Sequence, residues 1–236
     1  MDKSSIIIDK LQAFNLTRQE ATIYLCLLEY PELSGYEVAK QTGISRSNVY
    51  SGLSGLVEKG AAHLIEGNTS KYVAVLIDEF CDNYVRSRVK DKEYLLTNMI
   101  TKRVTNDGYI TIEGAKNIWN KLAYMIEHTS ERIYISASVT ILKEFGNLLS
   151  EAVKKGIKVV VITDGEPDVE GVIYYGSECK EQQIRFIADS KFALTGELKG
   201  LSSDTRLYSG QLNFVNVLKD ALRNEIKLIE VMKGTN

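Results

Sequence analysis

The hydrophobic positions divide the chain into a helical first part and a second part in which strands and helices alternate. In the first part, apolar residues at intervals of three and four predict helices over 5–14 and from Thr17 to near Pro31. A short helix is expected between Ser34 and Gly43. It should end at Gly43, because glycine readily takes the left-handed conformation that closes a helix.

Two of these helix starts carry the same signal. Thr17 is followed three residues later by Glu20, and Ser34 is followed in the same way by Glu37. At this spacing the hydroxyl and the carboxylate each accept a hydrogen bond from a backbone N–H that the first helical turn leaves unpaired. We therefore expect capping boxes at both positions.

A further helix begins at Ser45, which is a natural N-cap. Helical spacing gives it an apolar stripe of Val49, Leu53, Leu56 and Val57. Its other face carries small polar side chains, Tyr50 is at the boundary and Arg46 lies in the first turn. A short helix, a glycine turn and such a second helix predict a helix-turn-helix, in which Arg, Asn and Ser side chains read base edges in the major groove.

Residues 63–66 and 71–75 read as two short strands around a Gly-Asn-Thr-Ser turn, which predicts a β-hairpin wing. A lysine at the start of the second strand is placed to meet a phosphate. The predicted DNA contacts are Ser45, Arg46, Ser47, Asn48, Tyr50, Ser51, Ser54 and Lys71. A winged helix that only docks other proteins remains the alternative.

Residues 77–104 contain no glycine or proline and predict one long helix. Its apolar positions fit a dimerisation coiled coil in part, but a densely charged stretch over 86–93 interrupts the seam. A solvated connector is therefore the alternative. We favour a dimerisation helix, because two-fold symmetry supplies a second recognition helix one DNA turn away.

From Tyr109 onward the pattern is that of an α/β domain. The near-continuous apolar run over 157–163 fits a strand buried on both faces of a parallel sheet. The other predicted strands cover 109–112, 132–138, 184–188 and 192–195, and the predicted helices cover 114–128, 140–155 and about 209–232. The fold class is therefore a two-domain α+β or α/β protein with an N-terminal winged helix-turn-helix and a long connecting helix.

Composition changes this picture little. The net charge is −2, and residues 1–75 contain seven Lys and Arg against eight Asp and Glu, so DNA binding cannot be argued from bulk charge. The chain has no apolar run long enough to span a membrane and no signal sequence, which predicts a cytoplasmic protein. Three widely spaced cysteines predict reduced thiols, and neither a metal nor another cofactor is expected.

Two runs of sequence resemble known families. The segments LTRQEATIYL, SRSNVYSGL, LVEKG and KYVAV within residues 16–75 are similar to the TrmB family of winged-helix regulators. The run ERIYISAS and the later KGIKVVVITD resemble a phospholipase D-like half-domain, which follows the winged helix in TrmB-type regulators. The resemblance implies a homodimer on palindromic double-stranded DNA, with residues 45–54 in the major groove. The predicted domains are 1–76 and 107–236, joined by a connecting helix within 77–106.

Phospholipase D chemistry needs a His nucleophile and a phosphate-holding Lys in an HxKxxxxD pattern. Neither His63 nor His128 has a lysine two residues later, and the nearest cognate segment, 189–191, keeps only Lys191. Without the nucleophile the covalent route is closed. We therefore expect no catalysis, and a phosphodiesterase is the less favoured alternative.

The C-terminal domain is instead expected to sense a small-molecule effector or to stabilise the dimer. Ligands of open α/β sheets bind at the carboxyl ends of the strands. Five polar residues are candidates to line such a crevice: Ser136, Ser138, Asp164, Asp189 and Lys191. Strand-end residues that merely complete the fold are the alternative.

Overall fold

The computed structural model describes residues 3–99, 108–178 and 180–234. The chain divides into two compact units, Met1–Lys102 and Arg103–Asn236. In the described ranges we find no helix long and apolar enough to cross a membrane.

The N-terminal unit is a winged helix-turn-helix followed by a long helix. Its helices are α1 (Lys3–Ala13), α2 (Arg18–Glu29), α3 (Gly35–Thr42), α4 (Arg46–Glu58) and α5 (Ile77–Asn98). Its strands are β1 (Leu33–Ser34), β2 (Ala62–Ile65) and β3 (Lys71–Ala74), which form an antiparallel sheet in the order β1-β3-β2. The β2–β3 hairpin is the predicted wing. The sequence did not predict β1, because two residues are too few to show an alternating pattern.

Both predicted capping boxes are confirmed. The backbone N–H of Thr17 donates to Glu20 and that of Glu20 to Thr17, with nitrogen–oxygen distances of 2.7 and 3.2 Å. Ser34 and Glu37 form the same pair of bonds at 2.8 and 3.3 Å. The prediction for Ser45 is wrong in one respect. Ser45 precedes α4, but its side chain makes no capping hydrogen bond, and its Oγ lies 3.5 Å from Ser47 Oγ instead.

The N-terminal core lies between α2, α4 and the wing. Ile23 and Tyr24 of α2 are fully buried with Val49 and Leu53 of α4, and the Tyr24 hydroxyl donates to the Val75 carbonyl at 2.7 Å. Of the predicted apolar stripe, Val57 is not buried, because the residue is 37% exposed.

Helix α5 ends at Asn98, where the sequence predicted continuation to 104. Met99 has an extended backbone, and the side chains of Thr97 and Asn98 donate to carbonyls one turn back, at 2.9 and 2.8 Å. Residues 100–104 lie outside the described part of the chain. Phe80 packs into the core, whereas every residue from Val85 to Met99 is exposed.

The C-terminal unit is a mixed sheet with helices on both faces. Its strands are β4 (Tyr109–Glu113), β5 (Arg132–Ala137), β6 (Lys158–Thr163), β7 (Ile173–Gly176), β8 (Gln183–Ala188), β9 (Phe192–Glu197) and β10 (Thr205–Ser209). Its helices are α6 (Ala115–Glu127), α7 (Val139–Glu144), α8 (Gly146–Lys154) and α9 (Leu212–Gly234). The sheet order is β4-β10-β9-β8-β5-β6-β7; β5, β6 and β7 are parallel and the other pairs antiparallel.

Strand β6 lies between two parallel neighbours and is buried along all but its first residue, as the apolar run predicted. Helices α6 and α8 pack on one face of the sheet and α9 on the other. The predicted helix over 140–155 is two helices, because Phe145 leaves the helical conformation. The Phe145 ring packs against Trp119 at a tilt, with ring centroids 4.8 Å apart. Strands β7 and β10 were not predicted.

Candidate nucleic-acid interface and the C-terminal unit

The outer face of α4 is a continuous exposed surface of short polar side chains. The seven candidates on or next to this helix are all exposed: Ser45, Arg46, Ser47, Asn48, Tyr50, Ser51 and Ser54. Because Val49, Gly52, Leu53 and Leu56 are buried on the opposite face, the packing fixes which residues point outward. Small side chains on this face allow close approach to another surface.

Arg46 is held in place by a residue that the sequence analysis did not single out. Its guanidinium carbon lies 4.5 Å from the ring centroid of Tyr36 on α3, and the Tyr36 side chain is 51% exposed. A guanidinium over an aromatic face is attracted by the ring quadrupole. Tyr36 therefore restricts where the Arg46 guanidinium lies, at the tip of α4. No local pattern in the sequence indicates this contact between two helices.

Tyr50 lies against the start of α3. A Cβ added at Gly35 would come within 2.5 Å of Tyr50 Cε1, so the tyrosine ring occupies the space that a side chain at position 35 would need. Half of the Tyr50 surface remains exposed. The contact leaves this side chain packed on one side and open on the other.

Two glycines on the inner face of α4 allow it to lie close to α2. A Cβ at Gly52 would come within 2.5 Å of Ile23 Cδ1, and a Cβ at Gly55 would overlap the Glu20 carboxylate. Glycine is unfavourable inside a helix, so its cost must be offset by packing. The spacing of three residues between these glycines was the available signal, and the sequence analysis did not use it.

Glu20 and Lys59 form an ion pair beside this contact, with Nζ and Oε2 2.6 Å apart. Burial raises the pKa of Glu20, but the hydrogen bonds from Lys59 and from Thr17 outweigh it, so the pKa lies below its usual value. The Lys59 ammonium, on a partly exposed side chain, is thereby paired within the domain.

On the wing, Lys71 is exposed and lies 3.6 Å from the carboxylate of Glu32. Both side chains are about half exposed, so the pair is weak and solvent-screened. A phosphate could therefore reach Lys71 and replace Glu32 as its partner.

In the C-terminal unit, the five predicted effector residues do not lie together. Ser136, Ser138 and Asp164 are at the carboxyl ends of β5 and β6. Because β8 runs antiparallel to β5, the β8–β9 turn with Asp189 and Lys191 lies at the amino end of β5. A six-residue strand spans about 20 Å. The prediction of one crevice lined by all five residues is therefore wrong.

The side chains of Ser138 and Asp164 are engaged within the fold. Ser138 caps α7, accepting from the N–H of Ile141 at 3.4 Å. Asp164 accepts from the N–H of Val139 at 2.8 Å and of Lys180 at 3.1 Å. Burial raises the pKa of Asp164, but these bonds outweigh it and hold the pKa below its usual value.

Asp189 also has a role within the fold. Its carboxylate accepts from the N–H groups of Ser130, Glu131 and Arg132 at 2.8 to 3.0 Å. Burial raises the pKa of Asp189, but these bonds outweigh it and the pKa lies below its usual value. Asp189 therefore ties the β8–β9 turn to the start of β5, and Lys191 is exposed on that turn.

The two histidines lie in different units. His63 is exposed on β2, and His128 stacks on Tyr124 at the end of α6 with ring centroids 3.8 Å apart. Within the described residues, no group of three His, Cys, Asp or Glu side chains is arranged to hold a metal ion.

Two family models match the chain. One, "Sugar-specific transcriptional regulator TrmB", matches residues 11–78, which contain the whole α4 face and the wing. The other, the N-terminal subdomain of the TrmB "EBD", matches residues 108–208 in the C-terminal unit. The chain belongs to the TrmB family. This TrmB-family chain is a DNA-binding regulator, and the resemblance to the TrmB family inferred from its sequence is confirmed.

Two curated relatives are similar to this TrmB-family chain. "Uncharacterized protein YrhO" of Bacillus subtilis is 26% identical over 96% of this chain and 86% of its own length. The "HTH-type sugar sensing transcriptional regulator TrmBL1" of Pyrococcus furiosus is 24% identical over 67% of this chain and 47% of its own length. The alignment thus spans about half of the second relative.

Among solved structures, the archaeal chromatin protein TrmBL2 covers 94% of this chain and 98% of its own, at 19% identity and a TM-score of 0.44. The phospholipase D family member Nuc of Salmonella typhimurium covers 50% of this chain and 94% of its own, at 11% identity and a TM-score of 0.37.

Proposed function

We propose that this TrmB-family chain is a sequence-specific transcriptional regulator that binds double-stranded DNA as a homodimer. In this proposal α4 enters the major groove, the wing meets the backbone, and the C-terminal unit is a non-catalytic sensor. A ligand that favours one dimer geometry would change the spacing of the two α4 helices and so shift the population of the DNA-binding form.

The observation that carries the proposal is the outer face of α4. Arg46, held over Tyr36, lies beside small side chains that let the backbone approach the bases. Arg and Asn are the side chains best suited to pair with guanine and adenine edges in the major groove. Lys71 on the wing supplies a cation for a phosphate.

The test starts from a DNA site selected from a random library with the purified full chain. Arg46→Ala is expected to weaken binding to that site roughly 10- to 100-fold, because one bidentate base contact contributes about 1–3 kcal/mol of discrimination. Fluorescence anisotropy at several salt concentrations measures the affinity. The control is Lys116→Ala, which removes an equal charge from an exposed position of the C-terminal unit.

Phosphate contacts make the affinity fall as salt is raised. Recovery of no preferred sequence, together with weak and salt-independent binding, would reject the proposal and favour a winged helix that docks other proteins.

The homodimer is supported by α5. Val85, Val89, Leu95 and Leu96 of α5, and Met99 directly after it, are all about half exposed or more, and no described residue of this unit buries them. A two-fold pairing of this helix would bury apolar surface and present two copies of α4 to a palindromic site.

The non-catalytic assignment is supported by the C-terminal strand ends. Asp189 is committed to three backbone N–H groups, and no histidine lies in the 189–191 segment beside Lys191. A phosphodiester substrate should not be turned over. Turnover that disappears in Lys191→Ala would overturn this assignment.

A further inference from the structure

Helix α9 carries apolar residues on two opposite sides, and the sheet covers only one of them. The inner side packs on the sheet through Val215, Leu222, Ile226 and Ile229. The opposite side presents an exposed row, which we call the outer stripe, made of Val217, Ala221, Asn224, Leu228 and Met232. Its three largest apolar side chains belong to residues that are 60 to 61% exposed. A helix of a soluble domain usually has one apolar face, so the outer stripe indicates a second contact.

The outer stripe has the spacing of a coiled-coil seam. Its five members follow one another at intervals of four, three, four and four residues. Two helices pair along such a seam because the side chains of each fit into the gaps between side chains of the other. The middle of the seam holds the short side chains of Ala221 and Asn224, which allow close approach. The occupant that fits this surface is therefore another helix.

The charges beside the outer stripe match a second copy of α9 that runs in the opposite direction. Asp220 and Lys227 are exposed and flank the stripe on the same side. In an antiparallel pair that sets Val217 of one copy against Leu228 of the other, Asp220 of each copy faces Lys227 of the other. A parallel pair would instead bring Asp220 towards Glu225 of the other copy, which has the same charge. Charge therefore selects the antiparallel arrangement.

Both flanking charges are available for such a contact. Among the residues that the structure describes, Lys227 forms no ion pair. Asp220 pairs with Arg223 one turn later, with Oδ1 and Nη1 2.9 Å apart. Both of these side chains are more than half exposed, so the pair is weak and leaves the other carboxylate oxygen accessible. A lysine from another copy could therefore join Asp220 without breaking a buried interaction.

We propose that the outer stripe of α9 is a second self-association surface, which pairs antiparallel with the same stripe of another copy of this chain. The surface is separate from the proposed pairing of α5 and does not depend on DNA recognition. A stable dimer buries roughly 1,200–2,000 Å², more than one helical stripe supplies, so we expect a dissociation constant on the order of 100 µM. Such a contact is too weak to hold a dimer in dilute solution. It would add avidity between copies that neighbouring DNA sites hold close together.

The test is sedimentation equilibrium of the full chain without DNA, in the Val85→Glu background that removes the proposed α5 pairing. As the concentration is raised from about 5 to about 500 µM, the average mass should rise from monomer towards dimer. Adding Leu228→Glu should weaken this association roughly tenfold or more, because the pair would then bury unpaired carboxylates. A chain that stays monomeric throughout, or association that Leu228→Glu leaves unchanged, would overturn the proposal.

Charge reversal tests the antiparallel arrangement in the same background. Asp220→Lys and Lys227→Asp should each weaken association roughly threefold or more, because two attractive pairs become repulsive. The double variant restores opposite charges across the two-fold axis and should associate as its parent does. Glu230→Lys makes the same charge change as Asp220→Lys at an exposed position away from the stripe, and should have no effect. A double variant no better than the single ones, or an equal effect of Glu230→Lys, rejects the proposal.

A failure of this proposal is distinct from a failure of the proposed function. If α5 is not an interface, the Val85→Glu chain and the wild type should sediment alike, while Leu228→Glu still tests the outer stripe. The substituted positions of α9 are exposed, so the variants should keep the unfolding temperature of their parent. Because no DNA is present, the result does not depend on whether α4 recognises a DNA sequence.

Discussion

At the scale of single residues, the candidate interface depends on contacts that no local pattern shows. Tyr36 holds Arg46, and Gly35 leaves space for Tyr50. Gly52 and Gly55 allow α4 to pack closely against α2, and this packing determines which side of α4 faces outward. The side chains proposed to contact DNA are thus positioned by residues that need not touch it.

Gly52→Ala is expected to destabilise the N-terminal unit by about 1 kcal/mol. Overpacking against Ile23 costs roughly 1–3 kcal/mol. The better helix propensity of alanine returns up to about 1 kcal/mol. Urea unfolding of the full chain measures the change, with Ser54→Ala on the exposed face as control. Equal or greater stability of Gly52→Ala relative to the control would contradict the close packing.

The Glu20–Lys59 pair predicts a dependence of stability on pH. Because the folded-state pKa of Glu20 lies below its usual value, its contribution is complete above the unfolded-state pKa of about 4.5. It is lost as pH falls from there through the folded-state pKa. Chemical unfolding between pH 7 and pH 3 should therefore show a smaller loss in Glu20→Gln than in the wild type. Parallel curves would rule out this contribution.

At the scale of elements, helix starts were the most predictable feature. The boxes at Thr17 and Ser34 depend on residues three positions apart, so the chain determines them locally. The break at Phe145 lies instead where the Phe145 ring packs against Trp119, far away in sequence. An amphipathic pattern runs unbroken across this break, because both short helices face the same core.

Ser34 and Ser45 should respond differently to removal of their hydroxyls. Ser34→Ala is expected to destabilise by about 1 kcal/mol, because the Glu37 N–H loses its acceptor. Ser45→Ala should change stability by only a few tenths of a kcal/mol, because this hydroxyl makes no capping bond. Thermal unfolding of the two variants makes the comparison. Equal losses would mean that Ser45 caps α4 after all.

At the scale of the whole molecule, the exposed second half of α5 is a surface whose role the fold alone does not explain. Its second half is exposed and carries apolar side chains beside many charges. Apolar residues clustered on such a surface indicate an interface more often than a free helix face. The sequence left a dimer helix and a solvated connector open, and the exposed residues of α5 favour the first.

Val85→Glu is expected to convert the proposed homodimer to a monomer, because paired helices would bury two like charges against each other. Light scattering coupled to gel filtration measures the mass, and Ser87→Glu adds the same charge on another side of α5. Loss of the dimer should also weaken binding to a palindromic site. A Val85→Glu chain that stays dimeric would exclude α5 as the interface.

The sequence by itself determined the order and type of most elements, the two capping boxes and the exposed polar face of α4. Each of these depends on residues within about two helical turns, which local hydrogen bonds and one-sided burial are enough to specify. The family resemblance likewise followed from contiguous motifs in the first third of the chain.

Only the tertiary structure decided which distant residues meet. The antiparallel direction of β8 separates Asp189 from Asp164, although both follow strands in the sequence. The same sheet brings Gly196 against the buried side chain of Arg206. Strand direction and order arise from long-range pairing, which hydrophobic periodicity does not encode. The exposed face of α4 was therefore predictable, whereas the support beneath it and the burial of Arg206 were not.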